Sequence, residues 1–288
     1  MRSFRGTPAI LTLVTGATLC AAIIPTLHFD APTSKAFDDY IAAFEKDAPA
    51  RFASTGKLWI DRQCCGSGHS SFDEGKPVIE PRENKDVANG SIHHFSGTLR
   101  VPGGTIDAIQ KVMSDYPNYL KYFKGDLGSA SGVKQPDSKP DDLHFLSNLS
   151  LVQTTVWMNV TYDTVYDTHY RRLDKNRWSA ISKSVGIKEL RDPKNASAGT
   201  YPEGDDHGFL WRTNTYWMVR ERDGGLDMEV DSISVSRPIP TGFGWWGTKR
   251  TKDAVDKMLH DTKAAMETLK WRGLSANDQA SSEGSNKP

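Results

Sequence analysis

The sequence predicts an α+β fold in which one curved antiparallel sheet wraps around a long C-terminal helix. Between residues 127 and 237 the helical spacing of apolar residues disappears, and about five alternating strands follow one another. The turns between them are tight, as at Asp223-Gly224-Gly225, so neighbouring strands must run antiparallel. Residues 251–271 then carry one apolar stripe at helical spacing, which the sheet has to cover.

Length and charge limit the class of protein. The chain has 288 residues, enough for one domain of about 200 residues plus extensions. Lysine plus arginine and aspartate plus glutamate number 36 each, so the formal net charge is zero. Nucleic-acid-binding proteins usually carry a basic excess, so we expect no nucleic-acid partner.

The N terminus predicts export. Arg2 and Arg5 precede an uncharged, largely apolar run from Thr7 to Phe29, and this order is typical of a signal peptide. The run is also long enough to be retained as a membrane anchor. We therefore interpret residues 1–30 as a signal peptide or N-terminal membrane anchor. The remainder is expected to be periplasmic, secreted, or anchored on the outer side of the cytoplasmic membrane.

Residues 31–76 are predicted to form an N-terminal helix and a connector. Apolar residues recur at helical spacing from Phe37 to Ala48, and a segment rich in glycine, serine and charges follows. This connector contains the adjacent Cys64 and Cys65. Zinc sites usually space their first thiols by two to four residues, so the pair is interpreted as part of a surface loop. The sequence predicts no metal and no cofactor.

The main domain is predicted over residues 77–272. Asn89-Gly90 is a hairpin signal between two strands. Thr105 is expected to cap a helix that Pro117 stops. The polar residues 273–288 predict a disordered tail.

The strand from Phe209 to Val219 is predicted to form one wall of a cavity that the C-terminal helix closes. Its odd positions are mainly aromatic or apolar, whereas its even positions include Arg212 and Asn214. The odd positions are therefore expected to point toward the helix. The predicted ligand-contacting residues are Met158, Val160, Tyr162, Trp211, Thr213, Thr215, Trp217, Trp245, Trp246, Met258 and Thr262.

The segment "PTGFGWWGTKR" between the last strand and this helix predicts a gate. Its glycines would act as hinges, and Trp245 and Trp246, with the basic residues that follow, would contact a membrane surface. The alternative is that both tryptophans plug the open end of the sheet. The sequence leaves both interpretations open.

Acidic residues near the ends of two strands suggest acid–base chemistry as an alternative. Asp163, Asp167 and His169 form one group, and Glu229 and Asp231 lie on another strand. We interpret all five as charges on the outer face of the sheet, because apolar residues alternate with them. No catalytic residue is therefore assigned.

Two stretches of the chain resemble the START-like superfamily, the helix-grip (SRPBCC) group of polyketide cyclases and lipid-transport proteins. They read "FSGTLRVPGGTIDAIQKVMSDYPNYLKYF" and "FLWRTNTYWMVRERDGGLDMEVDSISVSRPIP", and the resemblance runs from about Gly90 to Leu269. A closer similarity is to an uncharacterised group of exported bacterial START-like proteins. It is carried by Arg212, Asn214, Tyr216, Trp217, Glu221, Arg222, Asp223, Gly224, Gly225, Ile239, Pro240, Thr241 and Gly242.

The resemblance implies a helix-grip fold and no catalytic set, because the superfamily contains carriers, sensors and a few enzymes. With the export signal it predicts an exported protein that binds or carries a hydrophobic small molecule or lipid between the sheet and the C-terminal helix. Two alternatives remain. One is a cyclase- or hydrolase-type enzyme with a cavity carboxylate or histidine, and the other is an interaction module with a filled core. The missing catalytic set favours a binding protein over an enzyme.

Overall fold

An eight-stranded antiparallel sheet dominates the structure, a computed structural model that describes residues 24–61, 68–154, 158–238 and 244–283. The described strands are β1 (Leu27–His28), β2 (Val78–Val87), β3 (Gly90–Pro102), β4 (Leu127–Lys134), β5 (Asp142–Thr154), β6 (Asn159–Arg172), β7 (Arg177–Glu189), β8 (Asp205–Asp206), β9 (Arg212–Arg222) and β10 (Gly225–Ser236). The described helices are α1 (Ala31–Thr55), α2 (Gly68–Asp73), α3 (Ile106–Ser114), α4 (Tyr119–Tyr122) and α5 (Gly244–Glu283).

The strand order confirms the predicted helix-grip arrangement. The order in the sheet is β2-β3-β10-β9-β7-β6-β5-β4, and all neighbours are antiparallel. The helices α3 and α4 lie between β3 and β4 in the chain, and α5 follows β10. β3 therefore pairs with the last strand, β10, while β2 extends the sheet at one edge. The short strands β1 and β8 pair separately.

Each face of the sheet packs against its own long helix. On one face, which we call the α5 face, residues such as Phe95 and Trp217 pack with α5. On the other, which we call the α1 face, Ile92 and Tyr216 pack with Phe37 of α1. The two sets alternate because successive side chains of a strand point to opposite faces. The sequence predicts α1 as a helix, but its local pattern does not show that α1 covers the sheet.

The ends of α1 are set by its flanking residues. The side chain of Asp30 accepts a hydrogen bond from the Thr33 amide at 2.8 Å, which caps the first turn. Gly56 follows the last turn with φ 68°, a left-handed conformation that glycine adopts without strain. Between these ends, Phe37 and Phe52 are fully buried on the side that faces the sheet.

The predicted stripe of α5 is confirmed, and the helix crosses the sheet at β3. Val255 and Leu259 are buried against the α5 face. Gly97 lies at the crossing point, where a Cβ atom would come within 2.6 Å of Val255 Cγ1 and 2.8 Å of Leu259 Cδ1. A glycine in this strand therefore allows the close approach of the helix.

The start of α5 lies inside the segment predicted to be a gate, and the gate itself stays a prediction. The backbone is helical from Gly244, so Trp245 and Trp246 lie in the first turn of a helix and not in a glycine-hinged loop. Residues 239–243 and the side chains of the two tryptophans lie outside the described part of the chain. At its other end α5 runs to Glu283, through most of the segment 273–288 for which the sequence predicts disorder.

The hairpin at Asn89 and the cap at Thr105 are confirmed, whereas β4 is not among the predicted strands. β2 and β3 flank the Asn89 turn, and the Thr105 side chain accepts a hydrogen bond from the Ala108 amide at 3.2 Å. β4 has the sequence "LGSASGVK", whose glycines and serines have low strand propensity. It is the edge strand beside β5, and with it the described residues from Leu127 onward contribute six strands to the large sheet.

Two predictions concern residues outside the described ranges. The apolar run at the N terminus is described only from residue 24, and Cys64 and Cys65 lie in the segment 62–67. None of the described helices combines the length and the hydropathy needed to cross a membrane. The signal peptide or anchor over residues 1–30 and the external localisation stay predictions.

Candidate functional site

Two apolar clusters lie on the α5 face. The larger, which we call the α5 cluster, includes Trp217 of β9 and Leu259 of α5. The smaller, which we call the Tyr162 cluster, contains Val160, Tyr162 and Ile187. The second cluster lies toward the other end of β6 and packs against Phe209 and Leu210, in the segment that leads into β9.

A band of hydroxyl side chains separates the two clusters. Along β6, Tyr170 belongs to the α5 cluster and Tyr162 to the other, and Tyr166 and Thr168 lie between them on the same face. The band continues across the neighbouring strands. Its members, which we call the hydroxyl band, are Ser147, Tyr166, Thr168, Ser182, Ser184, Thr213, Thr215, Ser232 and Ser234.

The strand register explains why these hydroxyls lie together. Thr168 is opposite Ser182, Ser182 is opposite Thr215, and Thr215 is opposite Ser232. The Thr168 and Ser182 oxygens are 2.8 Å apart. Ser182, Thr215 and Ser232 are half-buried, so the described residues cover this row only in part.

Three tyrosines border the band next to α3. The hydroxyls of Tyr119 and Tyr170 both donate to the carbonyl oxygen of Met113 at 2.5 Å. The Tyr116 hydroxyl is 2.9 Å from that of Tyr170. The Tyr116 ring lies over Gly132 of β4, where a Cβ atom would come within 2.2 Å of the ring. Gly132 thus makes room for Tyr116 beside the band.

The band and its border are uncharged. Burial raises the pKa values of Tyr119 and Tyr170 well above the usual value, and it also raises the pKa of Tyr166. These hydroxyls therefore stay protonated. His93 lies on the same face, 3.0 Å from Ser236 Oγ, and burial lowers its pKa to about 4, so its imidazole is neutral at pH 7. Neutral donors and acceptors suit a neutral polar group on an otherwise apolar ligand.

Most of the predicted ligand-contacting residues lie on the α5 face, but they do not form one group. Trp217 belongs to the α5 cluster, and Met258 packs against it. Thr213 and Thr215 lie in the hydroxyl band. Thr262 of α5 is fully buried, and its Oγ1 has no hydrogen-bond partner among the described residues. The other members on this face belong to the Tyr162 cluster or pack against it: Met158, Val160 and Tyr162. Their contact with a ligand stays a prediction.

Trp211 corrects the predicted inward face of the strand. Trp217 and Val219 do point toward α5. Trp211 instead packs with the cluster under α1, and its ring stacks on Phe29 at a centroid distance of 5.1 Å. The strand β9 begins only at Arg212, so strict alternation does not fix the direction of the preceding residue.

Most of the hydroxyl band is absent from the sequence-based prediction, although one signal in the sequence points to it. The tight turn at Asp223 and Gly224 fixes the register of the last hairpin. That register alone places Thr215 opposite Ser232 and Thr213 opposite Ser234. The partners on β5, β6 and β7 depend on longer loops and on a register shift between Val165 and Tyr166, which the local pattern does not reveal.

A chain of hydrogen bonds joins ionisable residues on the opposite face, under α1. The Tyr40 hydroxyl is 2.8 Å from His94 Nδ1, and His94 Nε2 is 2.9 Å from Asp231 Oδ1. Glu229 accepts a hydrogen bond from the Trp59 amide. Burial, together with the negative charge of Asp231, raises the pKa of Glu229 to about 8. Burial therefore favours the protonated form of Glu229.

The positions of Glu229 and Asp231 correct their predicted role as surface charges. Each is only 1% exposed, because α1 and the segment around Trp59 cover this part of the sheet. Asp163 is exposed, and Asp167 and His169 are half-buried, so the outer-face interpretation holds for these three. The buried carboxylates alternate with residues of the α5 cluster along β10, and they therefore face away from the hydroxyl band.

Asp227, also on the α1 face of β10, is the acceptor for three arginines. It is fully buried and binds Arg100 at 2.6 Å, Arg222 at 3.0 Å and Arg220 at 3.1 Å. Arg220 also binds Asp61 at 2.5 Å, which ties the segment after α1 to the sheet. The charged residues Arg220, Arg222 and Asp227 of the last hairpin therefore have a structural role that requires no ligand.

The turn that carries part of the family resemblance also has structural contacts. The Glu221 carboxylate accepts a hydrogen bond from the Ile106 amide at 2.6 Å at the start of α3. Asp223 has φ 51°, so it holds one of the left-handed turn positions. Beside this turn is an open surface depression of about 660 Å³, lined by Gly103, Gly104, Thr105, Asn176 and residues 221–225. Glu221 is one of the residues that carry the family resemblance. Its hydrogen bond to Ile106 gives it a structural role that needs no ligand.

Metal-ligating side chains come together at one place among the described residues. His144 of β5 and Asp167 and His169 of β6 have ligand atoms that all lie within 4.8 Å of one another. They lie on the α1 face of the sheet, on the other side from the hydroxyl band.

No family model matches the sequence, and no curated protein matches it. Among solved structures, the chain is similar to a START superfamily protein from Mycobacterium smegmatis, with a TM-score of 0.41 and 10% sequence identity over 61% of this chain and 98% of that one. It is similar to a STAR-related lipid transfer protein from Xanthomonas axonopodis, with a TM-score of 0.41 and 16% identity over 66% of this chain and 97% of that one. It is also similar to an aromatase/cyclase from a Streptomyces species, with a TM-score of 0.36 and 9% identity over 61% of this chain and 94% of that one. These likenesses are distant, and the fold class rests on the strand order and on the helix that closes the sheet.

Proposed function

We propose that the chain binds a hydrophobic small molecule or lipid with a neutral polar group, between the α5 face of the sheet and α5. The observation that carries this proposal is the hydroxyl band between two apolar clusters. Apolar parts of a ligand would contact the clusters, and its polar group would exchange hydrogen bonds with the band. No member of the band is charged, so the ligand group that fits it is a hydroxyl, carbonyl or ester.

The half-buried state of Ser182, Thr215 and Ser232 supports binding at this place. A hydroxyl that faces a packed core needs a fixed partner, because burial without a hydrogen bond is costly. A half-buried hydroxyl can instead change partners between water and a ligand. The basic N terminus and the apolar run after it support a place of action outside the cytoplasm, so we propose an exported binding or carrier protein.

An enzyme would need an ionisable group on the same face, and one buried pair offers it. Glu189 lies opposite Tyr162 in the sheet, and its Oε1 is 2.5 Å from His207 Nδ1. Glu189 is 1% exposed. This pair makes a cyclase- or hydrolase-type activity the second candidate, with Glu189 or His207 as the acid or base.

Native mass spectrometry of the full chain, purified from the cells that make it, tests the proposal. We expect a fraction of the protein to carry one extra mass, which organic extraction releases as an uncharged or weakly polar molecule. Protein with no bound mass, under conditions that preserve other lipid complexes, would favour a filled core without a ligand. Renewed incubation of the extracted molecule with the protein separates the remaining candidates, because a carrier returns it unchanged and an enzyme converts it.

A further inference from the structure

His144, Asp167 and His169 share one face of two paired strands. In the register of β5 and β6, His144 is directly opposite His169, and Asp167 is two residues before His169 on the same face. The two imidazole rings stack with centroids 4.3 Å apart and an angle of 13° between their planes. This geometry places the two Nε2 atoms on the same side, next to the Asp167 carboxylate.

The distances from Asp167 to the two histidines fit one metal ion. Asp167 Oδ1 is 3.0 Å from His144 Nε2 and 3.7 Å from His169 Nε2. Tetrahedral ligands that bind Zn²⁺ at roughly 2.0–2.1 Å stand about 3.3 Å apart. His144 Nε2 and Asp167 Oδ1 are also buried, and although they face each other at 3.0 Å, neither makes a hydrogen bond of good geometry with any described residue. Buried polar atoms in that state are expected to have a partner, such as an ion.

The other nitrogen of each histidine is held by a carboxylate. His144 Nδ1 is 2.7 Å from Asp137 Oδ1, and His169 Nδ1 is 2.9 Å from Asp142 Oδ1. A carboxylate at Nδ1 keeps the proton on that nitrogen and leaves the Nε2 lone pair free for a metal. This carboxylate–histidine arrangement is common around zinc, and it occurs here twice.

The local charge also favours a cation. With neutral imidazoles, the group contains the three carboxylates of Asp137, Asp142 and Asp167, and one guanidinium, that of Arg171, which binds Asp142 at 2.9 Å. Three negative charges and one positive charge leave a net charge of −2. A divalent ion would neutralise it in a half-buried position, where the ligand side chains are between 17% and 40% exposed.

We propose that His144, Asp167 and His169 form a binding site for a divalent transition-metal ion, with Zn²⁺ as the best fit. Two imidazoles and one carboxylate suit zinc and its neighbours in the transition series, whereas Mg²⁺ and Ca²⁺ prefer oxygen ligands alone. Three protein ligands leave a fourth position for water or another ligand. The site lies on the opposite face of β6 from the hydroxyl band, so it is separate from the proposed ligand site.

Titration of the full chain with ZnCl₂, followed by calorimetry, tests this proposal. We expect one Zn²⁺ per chain, a higher melting temperature with Zn²⁺, and visible absorption bands of low-symmetry Co²⁺ when CoCl₂ replaces ZnCl₂. His169→Gln and Asp167→Asn should each weaken binding by more than about 100-fold, and Asp142→Asn should weaken it by about 10–100-fold. Asp167 is 40% exposed, so its variant serves as the second test if the histidine variant fails to fold.

His260→Gln is the matched control, because His260 is an exposed histidine of α5, 3.8 Å from Asp256. It should bind Zn²⁺ like the wild type. The absence of Zn²⁺ binding to the wild-type chain would overturn the proposal. Equal binding by the His169 and Asp167 variants would also overturn it. If Cys64→Ser/Cys65→Ser abolishes binding while His169→Gln does not, the ion belongs to the cysteines and the proposed site is wrong.

Discussion

The two faces of the sheet bury polar groups in opposite ways. The α1 face buries ionisable groups, and most of them have fixed partners: Asp227 binds three arginines, and Asp231 binds His94 and Ser96. Apart from the Glu189–His207 pair, the described part of the α5 face carries mainly neutral hydroxyls, and three of the four in its central row are half-buried. One face is a closed polar contact between a helix and a sheet, and the other is a partly covered polar band between apolar clusters.

This difference indicates which face is structural and which is suited to binding. Removing one partner of a buried ion pair is costly, so a surface of such pairs fixes one arrangement of α1. A neutral hydroxyl loses less when it changes its partner, because its net hydrogen-bond contribution is small. Variants on the α1 face should therefore change stability, and variants on the α5 face should change ligand binding.

Asp227→Ala should have the largest effect on stability. The change leaves Arg100, Arg220 and Arg222 without their common buried acceptor, and breaking a buried pair costs about 3–5 kcal/mol. The free energy of unfolding, measured by urea denaturation, checks this. Asp39→Ala, which removes an exposed pair with Lys35 on α1, should change stability by less than about 1 kcal/mol. Equal losses in the two variants would contradict the structural role of the α1 face.

Glu229 should make the stability depend on pH. Its pKa in the folded chain is about 8 and its ordinary value is 4.5, so the folded state holds a proton that the unfolded state releases. The resulting stabilisation is fully present below pH 4.5 and is lost as the pH rises through 8. The free energy of unfolding should therefore fall continuously as the pH rises from 5 to 8.

Glu229→Gln should remove most of this pH-dependent loss of stability, because the glutamine amide can donate a hydrogen bond and does not titrate. Urea denaturation at several pH values measures it. The control is Glu267→Gln on an exposed position of α5, which should keep the wild-type slope. If Glu229→Gln also keeps that slope, another group titrates and the account of the Glu229–Asp231 pair is wrong.

Two neighbouring hydroxyls on β9 give the smallest and most direct comparison of the faces. The Tyr216 hydroxyl faces α1 and donates to Glu45 at 2.8 Å, so Tyr216→Phe should cost about 1–3 kcal/mol. Thr215 is half-buried in the hydroxyl band, and Thr215→Val should change stability by less than about 0.5 kcal/mol. Thermal unfolding of both variants under the same conditions measures the difference. A larger loss for Thr215→Val would mean that the band is part of a packed core.

Much of the fold is predictable from local sequence. Asn89 and Gly90 set a hairpin, Thr105 starts a helix, and the apolar stripe around Leu259 defines the closing helix. Each of these signals acts within a few residues, so it does not depend on the rest of the chain. β4 is not predictable in this way, because its glycines and serines form a strand only when β5 pairs with them.

The candidate site and the buried carboxylates on the opposite face of the sheet depend on contacts that are distant in sequence. Asp227, Glu229 and Asp231 alternate with apolar residues, which is the usual pattern of a strand with one wet face. Only the position of α1, almost 200 residues earlier in the chain, shows that this face is buried. The prediction that Trp211 points toward α5 is wrong for a similar reason. Trp211 precedes β9, so the alternation of that strand does not fix the direction of its side chain. The hydroxyls of Thr213 and Thr215 could be assigned to the correct face, because they lie within a regular strand.

The central claim is that the hydroxyl band is the polar part of a ligand site, and a matched pair of serine variants tests it most directly. Ser182 and Ser179 are both half-buried on β7, but Ser182 lies in the band and Ser179 on the α1 face. The probe is Nile red, an uncharged apolar dye with carbonyl and ether oxygens, followed by its fluorescence on addition of the full chain. The account predicts saturable binding that Ser182→Leu weakens by roughly tenfold, a loss of about 1.4 kcal/mol, while Ser179→Leu stays within about twofold of the wild type. Melting temperatures confirm that both variants are folded. Equal weakening by the two variants, or saturable binding that Ser182→Leu leaves intact, would contradict the account.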